Sequence, residues 1–150
     1  MNLNLARNLA WCALGCWLVS WFLPVVDGYA GWGAFLEAVE SPFRDPSPTR
    51  GEIGLTLVAS ALTNVGFVAL FLHWIRGDVK HHALFAKLAL FCLILDLFWL
   101  VEMLRAAESP RLLAGYYTWI ASFALLAAAG FVSAASGRRT SKTPTAGTPS

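Results

Sequence analysis

Four stretches of this chain are apolar for as long as a bilayer crossing requires, and that feature decides most of what the chain can become. A hydrocarbon core takes roughly 20 residues of helix to span. Residues 9–26 (LAWCALGCWLVSWFLPVV), 53–75 (IGLTLVASALTNVGFVALFLHWI), 84–104 (LFAKLALFCLILDLFWLVEML) and 112–135 (LLAGYYTWIASFALLAAAGFVSAA) fit that length. The first and last hold no charge. The third carries Lys87, Asp96 and Glu102, but each of its leucines and phenylalanines favours insertion by about 0.3 to 0.6 kcal/mol, against a cost of roughly 3 kcal/mol for a central Asp. With 57% apolar side chains and 13% charged ones, the 150 residues read as one integral membrane domain over residues 1–136. The expected fold is all-α: a four-helix transmembrane bundle with a short amphipathic helix in the first outer loop.

Orientation follows from the basic residues. Arg7, Arg76, Lys80, Lys87, Arg138, Arg139 and Lys142 fall on one side of the expected bilayer, seven against the four of the other side, Arg44, Arg50, Arg105 and Arg111. Positive residues favour the cytoplasm, so both termini are expected there. The tail 137–150 (GRRTSKTPTAGTPS) has no apolar periodicity and is expected to be disordered. Ala13-Leu14-Gly15-Cys16 raises a rival reading as a lipobox, but the apolar run continues through Trp17, Leu18 and Val19 where a cleaved signal would turn polar.

The first outer loop stays aromatic after leaving the bilayer. Asp27-Gly28 marks a turn. From Trp32 onward, Trp32, Phe35, Leu36 and Val39 recur at i, i+3, i+4 and i+7, one face of a helix over residues 32–40, with Glu37 and Glu40 on the other side and Pro42 expected to end it. That face either lies at the outer interface with Trp32 at headgroup depth or packs on the ends of the spans. Tyr116, Tyr117 and Trp119, with Trp21 and Trp99, read as an outer aromatic belt, and Trp11 and Trp74 as the inner one. Ala124 with Ala128 and Gly130 with Ala134 are small residues four apart, a spacing that lets helices approach closely.

Chemistry is sparse. Cys12, Cys16 and Cys92 lie inside expected spans with no C-x-x-C, so the arrangement of a membrane disulfide oxidoreductase is missing. A metal centre from Cys12, Cys92 and His73 has no recognised ligand spacing, and two facing axial histidines for a haem do not assemble from His73, His81 and His82. No metal or cofactor is expected. There is no G-x-S-x-G, H-E-x-x-H or phosphate-binding glycine loop. The basic residues form no stripe with interleaved aromatics, which excludes a nucleic-acid binder.

Two polar pairs remain. Taking residue 80 as the middle of the inner hinge, Asn64 and Asp96 are each sixteen residues away, and helices rising about 1.5 Å per residue bring them to one depth near the midplane. They are expected to hydrogen-bond inside the bundle. His73 and Lys87, each seven residues from the same centre, match in depth near the inner surface.

The order of "FLP" at the end of the first stretch, "GWGAF" in the outer loop and "LTNVGFVALFL" in the second resembles uncharacterised small bacterial four-span (tetraspan) inner-membrane proteins over residues 20–72. That resemblance implies a bacterial inner membrane and the four-span topology; it brings no activity. The expected partner is the lipid bilayer, with a larger membrane protein or a second copy of the chain beside it. Three functions stay open: a non-enzymatic accessory or structural subunit of a membrane complex, for want of a convergent catalytic constellation; a small oligomeric transporter or channel subunit built around Asp96, since intramembrane ionisable residues often mark ion pathways; and a redox or haem-linked enzyme.

Overall fold

The computed structural model describes residues 3–26, 28–44, 48–76, 81–105 and 113–140. Five helices and one two-stranded hairpin follow in the order α1 (Leu3–Ser20), β1 (Pro24–Val26), β2 (Tyr29–Ala30), α2 (Gly31–Arg44), α3 (Pro48–Ile75), α4 (His82–Arg105) and α5 (Ala114–Thr140). The described chain is therefore helical apart from the short hairpin. Three helices carry segments long and apolar enough to cross a membrane, Val58–Ile75, His82–Glu102 and Ala114–Ser136. Residues 106–112, between the third and fourth apolar stretches, and residues 141–150 of the tail lie outside the described residues.

The first apolar stretch folds differently from expectation. Its helix begins at Leu3 and closes at Ser20, and the remaining residues leave helical geometry for a turn and β1. Eighteen residues still give about 27 Å of helix, close to the core thickness of about 30 Å, but the early turns bring Asn4, Arg7 and Asn8 into the length. The chain turns back where Pro24 opens β1, a first-residue position that tolerates its missing donor. β1 and β2 pair antiparallel, Val26 opposite Tyr29, around Gly28, whose φ of 86° lies in the left-handed region that glycine adopts without strain.

Helix ends elsewhere run past the expected bounds. α3 starts at Pro48, ahead of the expected start at residue 53, because proline suits a first helical position. Pro42 does not end α2 at once; the helix continues to Arg44 and closes within a turn of the donor that proline removes. α5 extends to Thr140 and takes residues 137–140 from the expected tail.

Successive long helices run antiparallel. α5 is central, packed most closely on α1 and then on α4, while α3 lies against α4 and carries α2. α1 turns a stripe of Ala6, Ala10 and Ala13 inward, spaced four and three apart so that they share a face. On the α4 side, a Cβ added at Gly130 would sit 2.8 Å from the Ala86 Cβ; the glycine sets how close these helices come. Of the small residues singled out in the sequence, Gly130 is buried, whereas Ala124 is exposed and Ala128 and Ala134 are only partly covered. Phe67 of α3 fills the middle, stacked on Trp17 of α1 at 5.3 Å and edge-on to Phe123 of α5 at 5.3 Å.

The connections that follow α1 tie one end of the bundle together. Gly31 N–H donates to the Leu23 carbonyl, Trp32 N–H to that of Trp21, and Leu113 N–H to that of Val25 at 2.9 Å. Gly31 starts α2 hard against α1, where an added Cβ would lie 2.8 Å from the Trp21 Cα. This hairpin end is opposite the hinge end, where α3 passes into α4.

Candidate functional site

α3 presents Ser60, Thr63 and Asn64 at i, i+3 and i+4, which places all three on one side of the helix. Around them lie Trp17 of α1, Asp96 of α4, and Tyr116 and Trp119 of α5, themselves three residues apart. The hydrogen bonds divide these groups into two sets. The indole N–H groups of Trp17 and Trp119 both donate to Asn64 Oδ1, each at 3.0 Å, while Asn64 Nδ2 donates to the Ala61 carbonyl at 3.3 Å. Indole is a donor only, so the two contacts fix the orientation of the amide. One side chain thus joins α1, α3 and α5.

Asp96 heads the second set. It is 0% exposed, and its Oδ1 accepts from the Ser60 hydroxyl at 3.2 Å and, more weakly, from that of Thr63 at 3.4 Å. The Tyr116 hydroxyl donates to the Asp96 backbone carbonyl at 2.9 Å. Asp96 Oδ2 is buried with no hydrogen-bond partner among the described residues.

Asn64 and Asp96 therefore share a region but not a bond, against expectation. The reason is the hinge. With α3 ending at Ile75 and α4 starting at His82, the centre falls between residues 78 and 79, so Asp96 comes level with Ala61, between Ser60 and Thr63, about one helical turn from Asn64.

His73 and Lys87 also stay apart. The His73 ring packs on Phe85 at 4.1 Å and Lys87 is exposed; no hydrogen bond joins them. The buried histidine is His82, whose Nδ1 lies 2.6 Å from the Ser133 Oγ across the α4–α5 contact. The spacing of small residues around Gly130 pointed to this contact, but no sequence signal marked His82 as its polar member. Among the described residues no three His, Cys, Asp or Glu side chains converge as metal ligands would.

α2 closes over the hairpin end and leaves a cavity of about 320 Å³ beneath it. Gly31, Ala34, Phe35 and Ala38 of α2 line it, the predicted i, i+3, i+4, i+7 stripe set one residue earlier. Trp32 and Leu36 face out instead, 55% and 47% exposed, and Val39 is half-buried. Glu37, expected on the polar side, is a cavity residue. The rotation follows from how α2 is anchored: Gly31 starts it against the Trp21 backbone, and Phe35 reaches the Trp21 ring with centroids 5.3 Å apart. The aromatics assigned to an outer belt are largely interior for a related reason. Tyr116 is buried and Trp119, Trp21 and Trp99 are half-buried around the cavity, with Tyr117 exposed; Tyr116 and Trp119 each spend their polar atom on another helix.

Comparisons with protein-family models, with curated proteins and with solved structures return no match.

Proposed function

We propose that this chain is a four-span protein of a bacterial cytoplasmic membrane, with α1 as the fourth span, both termini inside and the hairpin end with α2 outside, and that it serves as a non-catalytic accessory or structural subunit of a larger membrane complex. The resemblance to small tetraspan proteins and the basic asymmetry support the placement. One observation carries the role: the amide oxygen of Asn64 accepts the indole N–H groups of two other helices, so this polar side chain inside the bundle is spent on holding helices in place. The fold has the character of a fixed scaffold. Its test is purification of the tagged full chain in mild detergent: a larger membrane protein should co-purify in fixed ratio and re-form the complex when the two are purified separately and mixed. A chain that elutes alone, or only with copies of itself, would remove the accessory role.

A second reading rests on Asp96. A carboxyl with Oδ2 unpartnered among the described residues is what a transporter would keep for a moving cation or proton. Proton-coupled uptake into vesicles that is lost in Asp96→Asn while the protein remains folded would establish that reading in place of the first.

A further inference from the structure

The cavity under α2 goes beyond the scaffold role. We propose that it binds a flat, apolar ring compound bearing a carbonyl, of the quinone class. Its volume of about 320 Å³ is at the small end of ligand pockets, which run from about 300 to 1,000 Å³. That is the space of about ten waters at liquid density, enough for one ring system and too little for a two-chain lipid. Trp21, Phe35, Trp99, Tyr116 and Trp119 line it from α2, α4, α5 and the turn after α1, and offset or edge contact with another ring is the favoured geometry for aromatic side chains.

The polar atoms of the wall select the ligand further. Ser20 Oγ donates to the Trp17 carbonyl, Ser60 Oγ to Asp96, Tyr116 Oη to the Asp96 carbonyl, and Asn64 Nδ2 to the Ala61 carbonyl. Asn64 Oδ1 already accepts twice. Glu37 also lines the wall and has an interaction of its own; the buried wall donor left over is Trp21 Nε1, without an acceptor among the described residues. A buried indole N–H ordinarily finds a partner, and the ring of Trp21 borders the cavity. The complementary ligand offers one acceptor on an otherwise apolar body, which a ring carbonyl does.

The test is binding to the full chain in nanodiscs, corrected against empty nanodiscs, with three probes: a decyl-tailed benzoquinone, decylbenzene and methyl laurate. The quinone should bind best, since decylbenzene lacks the acceptor and methyl laurate, an acyl ester, lacks the ring. Trp21→Phe keeps an aromatic ring, though a smaller one, and removes the N–H; it should weaken quinone binding by about five- to tenfold more than it weakens decylbenzene binding, the worth of one hydrogen bond, while the chain stays folded with a modestly lower melting temperature from thinner packing on Trp17 and Phe35. Ala38→Leu should reduce binding of all three by filling the space. Quinone binding no tighter than decylbenzene, or unaltered by Trp21→Phe, would overturn the proposal; preference for methyl laurate would assign the cavity to a lipid ester instead, and overturn it as well.

Discussion

Asn64 does at one residue what several would otherwise do, because two indole donors from different helices meet on its single oxygen. Each interhelical hydrogen bond in a membrane returns about 0.6 kcal/mol on average, and leaving the donors buried and unpaired adds to the loss. Asn64→Leu should therefore cost about 1 to 3 kcal/mol, read as a lower melting temperature in detergent, whereas Asn64→Asp, which keeps the acceptor, should lose less. Asp96 poses a different question. The two hydroxyl contacts to its carboxyl, from Ser60 and Thr63, return about 1 kcal/mol against roughly 3 kcal/mol for inserting a central Asp, and the Tyr116 bond goes to the backbone carbonyl, so local bonding alone falls short of its cost. Asp96→Asn preserves shape and acceptor and should preserve stability; Asp96→Leu should lower it by stranding the Ser60 hydroxyl. Equal stability of parent and Asp96→Leu would mean that these bonds do not hold α3 to α4. Both residues were legible in the sequence as polar groups inside apolar stretches. Their partners were not, because partners depend on where the hinge centres and how each helix is rotated, and a shift of one to two residues in the hinge moved Asp96 from Asn64 to Ser60.

Two contacts decide how the elements sit. Gly130 lets α5 approach α4, and Gly130→Ala gains helix propensity of up to about 1 kcal/mol while overpacking against Ala86 costs about 1 to 3 kcal/mol. The net effect should be destabilising, and Ala86→Gly in the same chain should recover it. Stability measured over this double-mutant cycle checks the contact; two additive losses would mean the helices do not meet there. α2 turns Gly31, Ala34, Phe35 and Ala38 to the cavity, and Phe35 alone of these reaches a ring, that of Trp21, so Phe35→Ser should destabilise the fold more than Leu36→Ser, which changes an exposed side chain. Similar losses from both would restore the stripe read from the sequence. That stripe was legible as helical periodicity, since apolar residues at i, i+3, i+4 and i+7 mark a helix whichever neighbour they meet. Its facing was not: Trp32 and Leu36 were weighted by hydrophobicity, while α2 is anchored by Gly31 and Phe35 against Trp21. The three strongest apolar helices were likewise legible, and α1 was misjudged at its end because the turn at Trp21–Leu23 sits inside an unbroken apolar run.

For the molecule as a whole, the pattern of exposure argues for lipid as its solvent. Leu62, Val65, Leu72, Phe91, Ile94 and Phe98 point away from the bundle on α3 and α4, more apolar surface than a monomer in water usually leaves uncovered. The antiparallel run of α1, α3, α4 and α5 then requires that the hairpin end and the hinge end lie on opposite sides of the bilayer if all four cross it. The proposed direction rests on the basic residues, seven on the side of the termini against four on the other. Reporter fusions ahead of Leu3, near position 46 and after Lys142 measure this directly. The account predicts cytoplasm for the first and last and the outer side for position 46. A fusion ahead of Leu3 reporting the side opposite to Lys142 would leave α1 out of the membrane-spanning set and contradict the four-span scaffold.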